Sequence, residues 1–187
     1  EQTPPGVIAN RPQFTRNTLQ LSRGDGTYAE IAYFAGLAAS DWSWTPIFLD
    51  VDLDGYEDLL VTTGHGRDDM DIDNGMRIEQ VKRSRPLSAA DELGLRKATP
   101  ALPSAKLAFR NKRDLHFEET GAAWGFNQPG VSHGMCLADL DNDGDLDVII
   151  NNMNAPAGIY RNDGSGHRVA VRLRGAGGNS RGIGAKI

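Results

Sequence analysis

The sequence has a single cysteine, Cys136, and no apolar run near the roughly 20 residues that a membrane-spanning helix needs. One cysteine excludes a disulfide within the chain, and its position in an apolar run predicts a small buried hydrophobic side chain. The first residues lack the basic segment and apolar core of a secretion signal. The chain also has no initiator Met and stops within an apparent pattern, so we expect it to be part of a longer protein that could carry an export signal. With 39% hydrophobic residues, 22 glycines and 9 prolines, the composition predicts a folded, turn-rich protein.

The acidic residues are concentrated in two short segments. Residues 50–58 and 139–147 hold five acids each, which is ten of the 25 in the chain. The other 15 acids stand against 20 lysines and arginines, so the rest of the chain is net positive although the total charge is −5. The clustering of acidic residues in these two segments therefore indicates a role for the segments themselves. The scattered basic residues do not form the patch that a nucleic-acid partner requires.

Both acidic segments belong to an internal repeat. An offset of about 89 residues aligns residues 17–63 with a later part of the chain and superposes the two acidic segments. The tripeptide Phe-Arg-Asn at 109–111 returns as Tyr-Arg-Asn at 160–162, an offset of 51. The difference of about 38 residues matches segment 66–103, which has no counterpart and is therefore an insertion. A period near 51 is close to the range of β-propeller blades.

The local patterns predict β-hairpins. Short apolar runs flank each acidic segment, at 47–49 and 59–61 and again at 136–138 and 148–150. A second hairpin is expected in each unit, turning at 23–26 and 112–114.

The insertion and the tail have different patterns. Acidic residues precede 76–83, and Ser88 with Asp91 is a capping-box pattern, so two short helices joined at Pro86 are predicted. Apolar and basic residues alternate over 167–174, which predicts a strand with one basic face.

The acidic segments share the pattern D-x-D-x-D-G-x-x-D, which predicts two calcium-binding loops. Alternate spacing brings three carboxylates to one side of a tight turn, the glycine lets the turn close, and the ninth-position aspartate completes an oxygen cage. The seventh position contributes its backbone carbonyl. The predicted metal ligands are Asp50, Asp52, Asp54, Tyr56 and Asp58 in the first loop, and Asp139, Asp141, Asp143, Asp145 and Asp147 in the second. Zinc or copper would favour histidine or cysteine, which neither loop contains.

Two alternatives to calcium loops were considered. An EF-hand needs glutamate at position twelve and flanking helices, whereas Val61 and Ile150 stand there between predicted strands. An acidic surface turn that binds no ion is the simpler alternative, and the aligned repetition of the pattern makes it less attractive. Residues 69–75 imitate a third loop, but their glycine comes one position late, and acids at a helix N-terminus explain them better.

The sequence offers little support for catalysis. The four histidines are scattered, and none has helical metal-ligand spacing with a carboxylate. Trp42 and Trp44 could form a platform for a sugar, although packing in the core is the preferred interpretation. We therefore predict that the chain is not an enzyme, with no catalytic residues.

Segments 19–28, 139–147 and 151–162 resemble repeats of the FG-GAP/VCBS family, and 172–185 resembles the start of an ASPIC/UnbV domain, as found in relatives of cartilage acidic protein. This resemblance implies a β-propeller like that of integrin α subunits, with calcium in the blade hairpins. It further implies an extracellular or periplasmic location and a binding or scaffold role. Two departures are visible: the turn at 113–115 is degenerate, and the ASPIC/UnbV-like part breaks off.

The sequence and the resemblance together predict a mainly β fold, an open part of a propeller with a short helical insertion. The expected divisions are a first repeat unit at 1–65, the insertion at 66–104, a second unit and the start of a third at 105–166, and a truncated ASPIC/UnbV-like β domain at 167–187. The predicted function is a calcium-binding interaction or adhesion module with a protein or glycan ligand. The alternative is a scaffold fragment of a secreted carbohydrate-active enzyme. Exposed blade edges make a homo-oligomer possible.

Overall fold

A computed structural model describes residues 16–167, 169 and 171–186 and shows a mainly β protein with three helices in that part of the chain. The strands are β1 Gln20–Ser22, β2 Tyr28–Glu30, β3 Ser43–Leu49, β4 Asp58–Thr63, β5 Ser104–Ala105, β6 Leu107–Asn111, β7 Phe117–Glu119, β8 Pro129–Gly130, β9 Ser132–Ala138, β10 Asp147–Asn152 and β11 Gly158–Tyr160. The helices are α1 Ala32–Ala35, α2 Ile72–Ser84 and α3 Ala89–Ala98.

The strands form four antiparallel sheets, none of them closed among the described residues. The largest has the order β3-β4-β6-β7, and a three-stranded sheet has the order β11-β10-β9. β1 pairs with β2, and β5 pairs with β8. The four-stranded sheet therefore joins the acidic-loop hairpin of the first repeat unit to the hairpin that opens the second unit. Each hairpin predicted from the sequence is formed, but the sheets run across the boundary between the aligned units.

Strand β4 is the centre of the four-stranded sheet, and all six of its residues are buried. Leu59 and Val61 face one side of the sheet and Leu60 faces the other, because side chains alternate along a strand. Both faces of the sheet are therefore packed, which explains why the strand is a continuous apolar run rather than an alternating one.

The first core lies between this sheet and the segment that precedes it. Ala35 and Leu37, at and after α1, pack on Leu59, Val61 and Phe109. Burying an aliphatic side chain of this size contributes about 1.5–3 kcal/mol, so the short hairpin β1–β2 and the four-residue α1 are held mainly by this contact.

The second core lies between the two larger sheets. Leu60 and Ala108 of the four-stranded sheet meet Phe126, Val148 and Ile150. The hydroxyls of Thr45 and Thr62 also reach across, each donating to the backbone carbonyl of His133 at 2.7 Å. The three-stranded sheet thus packs one of its faces on the four-stranded sheet.

The two helices predicted in the insertion are present. Asp71 caps α2 by accepting a 3.0 Å hydrogen bond from the backbone of Asn74, and Ser88 forms a capping box with Asp91 at the start of α3. Each cap satisfies amide groups that have no partner inside the helix. Neither helix contributes a buried residue to the cores.

Two predictions from the sequence are wrong. Cys136 is exposed, because it lies on the outer face of the three-stranded sheet, which has no second layer among the described residues. The described residues of 167–174 form no strand, and none of the strands in the described part of the chain pairs with them. Arg168 and Ala170 lie outside the described residues.

Candidate metal centre

Each acidic segment is the turn of a long hairpin, between β3 and β4 and between β9 and β10. The fourth residues, Leu53 and Asn142, have left-handed φ angles of 56° and 62°. The sixth residues, Gly55 and Gly144, have φ angles of 90° and 94°. A φ near 90° lies beyond the left-handed basin near 60° that Leu53 and Asn142 occupy, so position six favours glycine more strongly than position four does.

The first aspartate of each loop folds the turn around itself. Asp50 accepts hydrogen bonds from the backbone amides of Asp54 and Gly55, both at 2.9 Å. In the second loop Asp139 accepts from the amide of Gly144 at 3.1 Å. The carboxylate is thereby held facing the inside of the turn in both loops.

The ninth aspartate of the first loop, Asp58, connects the loop to the next strand. It is 1% exposed and accepts from the amide of Val51 at 3.0 Å and from the amide of Asn111, at the end of β6, at 2.9 Å. Burial raises the pKa of the Asp58 carboxyl, and the carboxylates of Asp52 and Asp54 raise it further, against the two amide hydrogen bonds. A cation in the loop would offset that cost of burying a negative charge.

The ninth aspartate of the second loop, Asp147, has the same partners one repeat later. It is also 1% exposed, and it accepts from the amide of Leu140 at 2.8 Å and from the amide of Asn162 at 2.9 Å. Two loops 89 residues apart therefore share one hydrogen-bonding pattern at their ninth aspartates.

Three carboxylates converge in each loop. In both sets the potential ligand oxygens lie within 4.8 Å of one another. The sets are Asp50, Asp52 and Asp58 in the first loop, and Asp139, Asp141 and Asp143 in the second. Both sets could hold a metal ion through oxygen atoms alone.

Asp52 provides a further indication of a ligand in the first loop. Its Oδ2 atom lies 2.6 Å from the guanidinium of Arg110. Its Oδ1 atom is shielded from solvent and has no hydrogen-bond partner among the described residues. A shielded carboxylate oxygen without a donor is costly, and a bound cation would satisfy it.

Asp54 faces an arginine instead of the other carboxylates. The guanidinium of Arg113 donates to Oδ2 of Asp54 at 3.0 and 2.7 Å, and this contact holds the pKa of that carboxyl below its usual range. The same guanidinium lies over the ring of Tyr56, 5.3 Å from its centroid. The first loop thus has two arginines, Arg110 and Arg113, at its acidic side.

The second loop has less positive charge beside it. Arg161, the repeat equivalent of Arg110, is 3.9 Å from Asp141 and makes its shorter contact, at 2.5 Å, with Asp163. The position equivalent to Arg113 is Gly164. The two loops therefore have the same backbone arrangement and different charge.

The structure brings together six of the ten predicted ligands. Asp54 pairs with Arg113 and lies outside the first cluster, and Asp147 lies outside the second cluster, although its counterpart Asp58 belongs to the first. The amides of Tyr56 and Asp145 donate to the fifth-position aspartates at 3.0 and 3.1 Å. The ligand role of their carbonyls stays a prediction.

Sequence reasoning missed the residues at the end of β6 and those directly after β11. Arg110 and Asn111 contact the first loop, and Arg161 and Asn162 contact the second. The recurring Arg-Asn pair at an offset of 51 was the available signal. This recurrence indicates the repeat period. A polar pair that recurs together with an acidic loop also indicates residues that contact the loop.

A second group of side chains surrounds the ring of His65. The ring centroid of Trp42 lies 4.2 Å from that of His65, and Trp44 stacks on His65 with 5.8 Å between their centroids. The centroid of Trp44 also lies 4.4 Å from that of His133. Trp44 is 43% exposed, and its indole nitrogen donates to the carbonyl of Gly64. Two histidines that are distant in sequence therefore meet at the tryptophan pair, so the pair belongs to a half-exposed aromatic cluster.

Neither the models of known protein families nor the sequences of curated proteins match this chain. None of the helices in the described ranges has the length and apolar character of a membrane span.

Proposed function

We propose that this chain is a calcium-binding β-repeat module of propeller type with a structural and ligand-binding role and no catalytic activity. The observation that carries the proposal is the shared geometry of the two acidic hairpin turns. Each gathers three carboxylates, and each ties its ninth aspartate to the following strand through an asparagine amide.

Calcium is the ion that the donors favour. The clusters offer carboxylate oxygens and no nitrogen or sulfur, which suits a hard cation. Magnesium prefers to keep several waters in a strict octahedron, whereas calcium accepts six to eight protein oxygens in a flexible arrangement. The shielded Oδ1 of Asp52 supports a ligand in the first loop.

The proposed role of the ion is to fasten a hairpin to the strand beside it. Asp58 belongs to the loop, and its hydrogen-bond donor Asn111 belongs to β6, which enters the sheet after the insertion. Neutralising the loop strengthens this arrangement, because carboxylates about 4 Å apart repel by roughly 4 kcal/mol per pair near a protein surface. A bound ion therefore stabilises sheet order as well as the turn.

A partial propeller is the architecture that the packing supports. Two antiparallel sheets follow each other along the chain and pack face to face, and each is preceded by a segment that covers its inner face. A propeller arranges such sheets around a central channel and usually contains four to eight of them. An extracellular or periplasmic location accompanies the proposal, since loops of this kind serve modules that work at high ambient calcium.

Calcium titration followed by calorimetry tests the proposal. We expect two bound ions, a higher melting temperature in calcium than in EDTA, and little effect of magnesium at the same concentration. Asp50→Ala and Asp139→Ala should each remove one ion, and Asp25→Ala, in the β1–β2 turn, is the matched control that should keep both. An unchanged melting temperature in EDTA together with no binding heat would contradict the proposal.

A scaffold of a carbohydrate-active enzyme is the second candidate, and the aromatic cluster around His65 favours it. Exposed tryptophans such as Trp44 can stack on sugar rings. A glycan array probed with wild type and Trp44→Ala separates the candidates. Loss of glycan binding in the variant supports sugar recognition, and hydrolysis of a bound glycan would point to an enzyme.

A further inference from the structure

The two cores of the protein are built from equivalent positions of the repeat. Ala108 of β6 belongs to the second core, and its equivalent Leu19, directly before β1, packs against the first. Three more buried positions recur at the offset of 89. The pairs are Leu37 with Phe126, Leu59 with Val148, and Val61 with Ile150. The composition of one core therefore predicts the composition of the other.

The second core contains one buried residue, Leu60 of β4, that has no equivalent in the first core among the described residues. Leu60 lies opposite Ala108, because β4 pairs with β6, and it is 2% exposed. An equivalent residue would lie opposite Leu19, on a strand beside β1. In the described part of the chain β1 pairs with β2 alone. The first core thus differs from the second by one strand and one aliphatic side chain.

The other edge of β1 has the backbone groups that such a strand needs. The carbonyl of Leu19 accepts a 2.8 Å hydrogen bond from the amide of Ile31, so the hydrogen-bonding groups of Leu19 face β2. This direction alternates along an antiparallel strand, and the groups of Thr18, Gln20 and Ser22 therefore face away from β2. The equivalent edge of β6 is the one that pairs with β4.

An apolar groove of about 210 Å³ adjoins this edge and is lined by Leu19 and Phe48. The residues of the first core that line the groove are already buried, and its open part lies at Phe48 of β3, which is 44% exposed. Leu137, the equivalent of Phe48, is half-buried, since it packs against the core that contains Leu60. The groove is therefore open at the position that Leu60 covers in the second unit.

The segment that precedes β1 has the sequence of such a strand. Residues 1–15 lie outside the described residues, and the described part begins beside the groove, since Asn17 lines it. The sequence Gly-Val-Ile-Ala-Asn at 6–10 resembles Asp-Val-Ile-Ile-Asn at 147–151, which contains most of β10. In the second unit, residues 151–157 connect β10 to its antiparallel partner β11. Residues 10–17 would provide a connection of nearly the same length.

We propose that residues 7–9 form a strand on the edge of β1, with Ile8 opposite Leu19 and inserted in the groove. This pairing follows that of Ile149 with Ile159 one repeat later. The occupant is this segment because its apolar pattern, its connection length and its position in the chain all match the strand that fills the second core. A second copy of the chain could reach the same edge only from another molecule, which the experiment below distinguishes.

The segment would close an edge that could otherwise pair with another chain. Unpaired strand edges are templates for association, and proteins commonly cover them. The proposed strand covers the edge of β1 and the apolar groove at once, since its backbone pairs with β1 and Ile8 packs on Phe48. The N-terminal segment therefore completes the first core and keeps this side of the module from pairing with other molecules.

Disulfide trapping tests the register of the proposed strand. In a Cys136→Ser background, Ile8→Cys is combined with Leu19→Cys. The two residues would form a non-hydrogen-bonded pair with Cα atoms roughly 4.5 Å apart, which a disulfide can bridge. Val7→Cys with Leu19→Cys is the matched control, because neighbouring residues of a strand point to opposite faces. We expect the first pair to close within the monomer under mild oxidation and the control pair to stay mostly reduced.

The other outcomes of this trapping contradict the proposal. Equal closure of both pairs would show a segment without a fixed register, and closure of neither would show that the segment lies elsewhere. Disulfide-linked dimers on a non-reducing gel would show that a second copy covers the edge.

Amide hydrogen exchange followed by NMR is a second test that needs no cysteine. The amide of Gln20 should be protected in wild type, and Ile8→Glu should accelerate its exchange roughly tenfold or more, as expected for loss of one buried aliphatic side chain. Val7→Glu changes the opposite face and should leave that protection intact. The amide of Leu21, which faces β2, is the internal reference, and circular dichroism checks that the variants fold. Equal exchange of Gln20 in wild type and Ile8→Glu overturns the proposal.

Discussion

The backbone amide of Asn111 donates a 2.9 Å hydrogen bond to Oδ1 of Asp58, although 53 residues separate the two in sequence. Asp58 ends the first acidic loop, and Asn111 ends the strand beside it. Asp147 and Asn162 form the same bond at the same distance across only 15 residues, because no insertion intervenes there. The loop and the neighbouring strand therefore form one structural unit, whatever lies between them in the chain.

Replacement of Asp58 by asparagine should destabilise the protein by about 1–3 kcal/mol, since one buried amide loses a charged acceptor and the new NH₂ group needs a partner. Urea unfolding in EDTA measures this effect without any contribution from calcium. Asp147→Asn is the matched variant and should behave alike, because its burial and partners are the same. A change below about 0.5 kcal/mol in both would contradict the structural role of the ninth aspartate.

Replacement of Arg113 by alanine should increase calcium affinity at the first loop. Its guanidinium competes for Asp54 at 2.7 Å, and a surface ion pair is worth roughly 0.2–1 kcal/mol, so a gain of about 1.4-fold to fivefold is expected. Calorimetry of the Asp139→Ala background isolates that loop. Lys112→Ala removes an adjacent positive charge that pairs with Glu118 and is the control. Equal gains in both variants would show a general charge effect instead of competition for Asp54.

The contact between Glu30 and Arg16 should make stability depend on pH. Arg16 lies 2.7 Å from Glu30, and this contact, with the amide of Ala32, holds the pKa of Glu30 at about 2, below its ordinary 4.5. A carboxyl whose pKa is lower in the folded state stabilises the protein above pH 4.5, and that contribution disappears as the pH falls towards 2. Denaturant titrations of wild type and Glu30→Gln should therefore differ at pH 7, and the difference should shrink steadily as the pH falls from 4.5 towards 2. A difference that is constant down to pH 3 would contradict this.

Truncation of Ile150 should cost far more than truncation of Ile159. Ile150 is fully buried in the second core, so Ile150→Ala leaves a cavity and should lose about 2–5 kcal/mol. Ile159 is 67% exposed, and its truncation should change the stability of the monomer by less than about 0.5 kcal/mol. Thermal melts at low protein concentration make the comparison. Similar costs for both would mean that Ile159 is buried within the monomer.

The sequence predicted the features that depend on local pattern. The acidic turns, the four hairpins and the capping box at Ser88 follow from residue type and spacing over a few positions. The arginine and asparagine partners of the loops come from other strands, and no local pattern connects them to the acids. The strand order of the four-stranded sheet could not be predicted for the same reason. β4 and β6 are neighbours in the sheet, but the insertion separates them in sequence.

The wrong predictions depended on neighbours as well. Cys136 has the apolar surroundings in sequence that usually accompany burial, but burial requires a second layer on its face of the sheet. The alternation over 167–174 has the period of a strand, and a strand forms only where another can pair with it. Both cases show that sequence periodicity predicts which side chains share a face. It does not predict whether another layer of the protein packs on that face.

The two ends of the insertion lie next to each other beside the sheets. His65 and Leu102 exchange two backbone hydrogen bonds of 2.9 Å, one in each direction, which closes the base of the segment that contains α2 and α3. Because its ends are fixed together, a change in its length alters the entropy of closing the loop only slightly. A different segment can therefore be grafted between His65 and Leu102 without changing which strands pair, so this is where the module can gain a new binding surface at little cost to its sheets.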